Sequence, residues 1–133
     1  MATMAEKTAV LVDDSVYILK QLKEFFESKL YFAVLATGVD GIEAVQLYRK
    51  HQPDLMTLDI TMPQKNGIDA AREIIREFPR ARLLMVTAVR GEEAMGYQSF
   101  GAQGIIFKPL RLGDADYVKN FAKIVDQIVS PRK

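Results

Sequence analysis

The sequence predicts an α/β fold: a five-stranded parallel sheet with helices on both faces. Three observations predict it. Short apolar runs alternate five times with stretches whose apolar residues fall at helical spacing. The runs lack the polar alternation of a sheet that faces water on one side, as strands buried on both faces require. Polar residues suited to chemistry follow directly after four of the five runs, at the strand ends where open α/β sheets hold their ligands.

The elements follow in order. Ala9 to Val12 is a short apolar strand ended by Asp13 and Asp14. From Val16 to Leu30 the residues Leu19, Leu22, Phe26 and Leu30 recur at helical spacing. Tyr31 to Ala36 reads as the second strand, and Val39 to Lys50 as a helix that Pro53 prevents from continuing. Leu55 to Leu58 is the third strand and ends at Asp59. Ile68, Ala71, Ile74, Ile75 and Phe78 form a helical stripe stopped at Pro79. Leu83 to Val86 is the fourth strand, ended by Thr87. A weaker helix runs from about Glu92 to Phe100 and is interrupted by Gly96, a poor helix former. Gly104 to Phe107 is the fifth strand, ended by Lys108, and Val118, Phe121, Val125 and Ile128 mark the last helix.

Bulk properties bound the function. A chain of 133 residues with 49% hydrophobic residues suits one domain with one sizeable core. The expectation is a single domain over residues 1–133, with residues 1–7 a flexible tail and no output domain attached. Its formal net charge of +1, from 18 basic and 17 acidic residues, makes no field that would gather nucleic acid by charge alone. There is no cysteine, which excludes disulfides, thiolate nucleophiles and Cys-based zinc sites, and fits a cytoplasmic chain. Apolar runs such as Leu83 to Val86 are far shorter than the roughly 20 residues a bilayer demands. The first eight residues, with Glu6 and Lys7, do not form a signal peptide.

The candidate site is Asp13, Asp14, Asp59, Thr87 and Lys108, scattered in sequence but gathered by the predicted fold at one edge of the sheet. Three clustered carboxylates repel one another and call for a cation. Oxygen ligands suit a hard ion, and Mg²⁺ binds through one or two carboxylates, waters and phosphate oxygens. A carboxylate can attack phosphorus to give an aspartyl phosphate. Phosphoryl transfer otherwise needs mainly positioning and neutralisation of the equatorial oxygens. Lys108 and the Thr87 hydroxyl would supply charge and a donor.

Blander readings exist for each residue. Asp13 and Asp14 suit a helix N-cap, and Thr87 a hydroxyl bonded to backbone. Asp59 suits a solvated turn, and Lys108 a surface charge. His51 reads as a solvated or capping side chain, and the six methionines as mostly core filler.

The residues together resemble the response-regulator receiver domains of two-component signalling. Leu11-Val12-Asp13-Asp14-Ser15 resembles the acid pair that opens them. Asp59-Ile60-Thr61-Met62-Pro63 with Gly67 resembles the phosphoacceptor block and its loop. Val86-Thr87-Ala88 resembles the switch threonine with its small neighbour, and Lys108-Pro109 the family lysine with its proline. The likeness runs from about Thr8 to Ile128 and is strongest to stand-alone chemotaxis regulators of the CheY kind. It implies a flavodoxin-like (βα)5 three-layer sandwich with strand order 2-1-3-4-5. It implies Asp59 as phosphoacceptor, Asp14 and Asp59 as direct Mg²⁺ ligands, Asp13 as a ligand through water, and the main-chain carbonyl of Thr61 as a further ligand. It also implies a cis Lys108-Pro109 bond.

Two departures stand out. Many receivers carry Tyr or Phe three positions before the lysine, where its rotamer reports phosphorylation; here that residue is Ile105. Phe107 lies two residues on, on the same side of the strand, as a partial substitute. The positions two past the phosphoacceptor and two past the threonine flank the path of the attacking water; here they are Thr61 and Val89.

The implied function is a cytoplasmic, monomeric switch rather than an enzyme. A histidine kinase (CheA-like) would donate the phosphoryl group, and a target such as a flagellar motor switch would read it. A phosphatase is a further partner, and neither nucleic acid nor membrane is expected. A phosphorelay intermediate is the alternative within the family. A haloacid-dehalogenase-type phosphatase would need a second Asp where Thr61 stands.

Overall fold

A computed structural model of the chain describes residues 6–130. Of the expected tail, residues 1–5 lie outside the described residues, and Glu6 and Lys7 are exposed and outside any helix or strand. Five strands, β1 (Thr8–Val12), β2 (Ala33–Gly38), β3 (Leu55–Leu58), β4 (Leu83–Thr87) and β5 (Gly104–Phe107), alternate with helices. The helices are α1 (Val16–Ser28), α2 (Gly41–His51), α3 (Gly67–Glu77), α4 (Glu92–Met95) and α5 (Ala115–Val129). All pairings are parallel and the strand order is β2-β1-β3-β4-β5. This is the expected flavodoxin-like sandwich, with β1 and β3 adjacent at the point where the order reverses.

The sheet divides the core in two. On one face, Leu11, Leu55 and Leu84 pack against Leu22, Phe25 and Phe26 of α1 and Phe121 of α5. The Phe25 and Phe121 rings lie 4.8 Å apart, and Phe26 meets Phe32 edge-on at 5.3 Å. On the other face, Val10, Met56, Leu58 and Met85 pack against Val45 and Tyr48 of α2 and Ala71 and Ile74 of α3. The long helices start where a side-chain oxygen accepts an orphan N–H: Ser15 from Ile18, Asp40 from Glu43, Asn66 from Asp69, Asp114 from Tyr117.

Three details sharpen the expected elements. The second strand begins two residues later than the apolar run, at Ala33. Tyr31 takes φ 60°, and the Phe32 N–H donates to Phe26 O at 2.9 Å, so these two residues turn the chain off α1. The fourth helix is interrupted at Gly96 as expected: α4 stops at Met95, and after Gly96 the chain tightens into a 3₁₀ turn over Tyr97–Phe100. Met56, Met62 and Met85 are buried, but Met95 is 60% exposed and fills no core. His51 closes α2, half-buried. The Lys108–Pro109 bond is cis.

Candidate functional site

The ladder brings the polar strand ends together. Val12 pairs with Leu58, Leu58 with Met85, and Thr87 with Phe107. Backbone bonds carry the pairing one residue further: Asp59 N–H to Val12 O at 3.2 Å and Lys108 N–H to Thr87 O at 2.9 Å. Asp13, Asp59 and Thr87 are therefore held by the sheet itself and are buried, while Asp14 is exposed. Ser15, and neither acid before it, takes the N-cap of α1.

Lys108 sits between the two buried acids. Its Nζ donates to Asp59 Oδ2 at 2.9 Å and lies 2.6 Å from Asp13 Oδ2. The remaining oxygens accept main-chain N–H groups: Asp13 Oδ1 from Ser15 at 2.9 Å and Asp59 Oδ1 from Ile60 at 2.7 Å. Among the described residues, Asp13 Oδ2 is buried and meets only the Lys108 ammonium, by this short ionic contact, which leaves the oxygen with capacity for a further partner.

The charges do not balance. One ammonium faces two buried carboxylates and Asp14 stands beside them. Burial works against the Lys108 ammonium, but its contacts with Asp13 and Asp59 outweigh it and raise the pKa, so the lysine is charged throughout the physiological range. Burial pushes the Asp13 carboxyl up; contact with Lys108 and the Ser15 N–H oppose this, and the Asp59 charge adds to it. One oxygen from each of Asp13, Asp14 and Asp59 lies within 4.8 Å of the others. Excess negative charge, an under-satisfied buried oxygen and an all-oxygen donor set fit a hard divalent cation such as Mg²⁺.

The loop after Asp59 folds back on the end of β3. Gly67 N–H donates to Ile60 O at 2.8 Å, and a Cβ on Gly67 would stand 1.8 Å from Asp59 O, so only glycine fits there. Thr61 lies exposed on this loop. The Lys65 carbonyl ties the loop to α2 by accepting from Gly41 N–H at 2.9 Å. On the other side, the buried Thr87 hydroxyl accepts the Val89 N–H at 3.1 Å, next to exposed Ala88.

The response regulator receiver domain model matches residues 9–116, the stretch that carries these strand-end residues, an acid pair, a lone acid, a threonine and a lysine in that order. The chain belongs to the response regulator receiver family. Receivers of this family act in two-component signalling. The chain is 36% identical over 107 residues to the chemotaxis protein CheY of Thermotoga maritima, covering 79% of this chain and 88% of that one. It is 37% identical to protein-glutamate methylesterase/protein-glutamine glutaminase 2 of Nitratidesulfovibrio vulgaris, over 92% of this chain but 31% of that much longer protein. Among solved structures, the crystal structure of the CheX–CheY–BeF₃–Mg²⁺ complex from Borrelia burgdorferi superposes with a TM-score of 0.84 at 33% identity, covering 94% and 90% of the two chains.

The receiver's departures also take shape. Ile105 and Phe107 lie on the same face of β5, both half-buried against the α2–α3 side of the core. Exposed Pro109 follows the lysine. Sequence reasoning missed Arg90. Its guanidinium carbon sits 4.4 Å above the Phe107 ring centre, and its Nη2 donates to Lys108 O at 3.1 Å. The residues alone gave no signal for it: Phe107 comes within reach of Arg90 only through the pairing of Thr87 with Phe107 across β4 and β5.

Proposed function

We propose that this receiver is a phosphorylation-dependent signalling switch and that Asp59 accepts the phosphoryl group from a histidine kinase. The Asp59 carboxylate forms the new O–P bond as the P–N bond to the kinase histidine breaks, and the histidine nitrogen leaves with the electron pair. Lys108 is charged and already in contact with Asp59, so it neutralises charge on the phosphoryl oxygens as they arrive. The Thr87 hydroxyl keeps a proton to donate, because its bond with Val89 uses only the oxygen as acceptor. Asp14, Asp59 and the Thr61 carbonyl would hold Mg²⁺ directly, and Asp13 through water. The ion supplies positive charge to the phosphoryl oxygens when bound. Thr61 and Val89 flank the route of the water that ends the signal, and Val89 offers that water no polar group.

The observation that carries this reading is the Lys108 ammonium wedged between Asp13 and Asp59 at the strand ends, with Asp14 completing an acid triad. Likeness to chemotaxis CheY proteins supports a chemotaxis pathway and a cytoplasmic site of action, with output through a target protein that binds the phosphorylated form. The test uses intact-mass spectrometry after incubation with acetyl phosphate and Mg²⁺. The parent should gain one phosphate, and Asp59→Asn, or the parent in EDTA, none. An equal adduct on the Asn variant would place the chemistry on another residue.

A further inference from the structure

We propose that Arg90 is the positioning residue that couples the Thr87 loop to the lysine strand, in the place of the aromatic switch that Ile105 cannot provide. The inference rests on the phosphoacceptor reading above and adds how this chain transmits the event.

The contacts form a closed path. The Thr87 hydroxyl holds the Val89 N–H at 3.1 Å, so the segment just past β4 follows any displacement of Thr87. Arg90 is the next residue. Its side chain crosses to β5, where it covers the Phe107 ring at 4.4 Å and donates to the Lys108 carbonyl at 3.1 Å. Lys108 then reaches Asp59 at 2.9 Å, and its own N–H returns to Thr87 O at 2.9 Å. The far side of Phe107 is anchored by α5: Tyr117 Oη donates to the Phe107 carbonyl at 2.6 Å.

Beyond Arg90 the chain is weakly held. Gly91 has φ 92° with open space where a Cβ would be, and α4 starts there without a side-chain cap. The Arg90 side chain therefore ties a pliable loop to a rigid strand. Here Lys108 is turned to the free carboxylates of Asp13 and Asp59, and the Arg90 contacts are made together with that arrangement. When Thr87 moves toward a phosphoryl oxygen, Val89 goes with it and Arg90 must leave Phe107. The latch thus opposes activation, and its removal should favour the active state. A ligand that selects a minor state binds more tightly when that state becomes more populated.

The experiment titrates beryllofluoride into the protein at saturating Mg²⁺, following backbone amide resonances of Ala88 to Phe107. Arg90→Ala should bind about fivefold more tightly than the parent, the size expected when a minor competent state gains that much population. Phe107→Leu, which keeps apolar volume but removes the ring, should shift affinity in the same direction by less. Arg90→Lys, which keeps a cation over the ring but loses the fork, should fall between parent and Arg90→Ala. Mg²⁺ affinity without beryllofluoride should be equal in all four, because Arg90 touches none of the acids. Unchanged or weaker beryllofluoride binding by Arg90→Ala would overturn the latch while leaving the phosphoacceptor site intact. A parallel change in Mg²⁺ affinity would overturn it too, since general damage to the site then accounts for the effect. A parent that binds no beryllofluoride would instead overturn the phosphoacceptor reading on which the latch rests.

Discussion

Two groups of ion pairs use the same side-chain chemistry and have opposite consequences. On the surface of α2 and α3, Arg49 bridges Glu77 at 2.7 Å and Glu73 at 3.7 Å, and Lys65 also meets Glu73. At the strand ends, Lys108 bridges Asp13 and Asp59. The first group stands half in water, where solvent screens the charges and either partner can be lost cheaply. The second is fixed by strands on both sides and is buried, with more negative charge than its one cation can match. The surface group dresses the fold. The buried group burdens the fold, and under the proposed function that burden readies it for a cation and a phosphoryl group.

The comparison can be broken by experiment. The largest effect should come from Lys108→Met, which leaves Asp13 and Asp59 facing each other without a cation. In EDTA it should lower unfolding free energy by about 2–3 kcal/mol, measured by urea denaturation. A value near zero would mean that water already screens the site.

Asp13→Asn should act in the other direction. It removes one buried charge, keeps the acceptor for the Ser15 N–H, and leaves Lys108 paired with Asp59. Without Mg²⁺ it should stabilise the chain by about 1–2 kcal/mol, and Mg²⁺ should raise the melting temperature of the parent but not of this variant. The pH dependence follows from sign. The folded-state pKa of Asp13 lies above its unfolded value, so the folded state binds the extra proton. That stabilisation is complete below the ordinary value of 3.8 and is lost as pH rises through the folded value. The advantage of Asp13→Asn should therefore be absent at the acid end and grow with pH. An advantage that shrank with rising pH would contradict the burial of the Asp13 charge.

A neutral control sits one strand over. The Thr57 hydroxyl on β3 is fully buried and has no hydrogen-bond partner among the described residues. Thr57→Val keeps the shape and removes the unpaired group, so it should stabilise by about 1 kcal/mol with no effect on Mg²⁺ response. A destabilised Thr57→Val would mean that the hydroxyl is hydrogen-bonded in the folded chain. The smallest effect belongs to Arg49→Ala, whose melting temperature should match the parent within replicate scatter. A clear drop would raise the surface network to the standing of the buried one.

Much of this was legible in the residues. Leu55 to Leu58 followed by Asp59 reads as a buried strand with an acid at its end, because strand ends are marked by an abrupt change from apolar to polar. The second strand was misplaced by two residues for the same reason: Tyr31 and Phe32 are apolar enough to join the run, while the positive φ of Tyr31 is a backbone state that composition does not reveal. Arg90 escaped notice because its partners, Phe107 and the Lys108 carbonyl, are remote in sequence, and a carbonyl has no residue-type signature. Gly67 was visible as a glycine, but only the 1.8 Å approach to Asp59 O shows why no other residue fits.

The sequence by itself determined the alternation of strands and helices, the two-faced burial of the sheet and the identity of the five polar strand-end residues. These depend on apolar periodicity and on residue type, which are local properties of the chain. Only the tertiary structure decided that Lys108 stands between Asp13 and Asp59, that one Asp13 oxygen is left under-satisfied, and that Arg90 spans from the Thr87 loop to β5. Those depend on strand order and on register to the single residue. Both are set by how distant segments pack rather than by any one segment's preference.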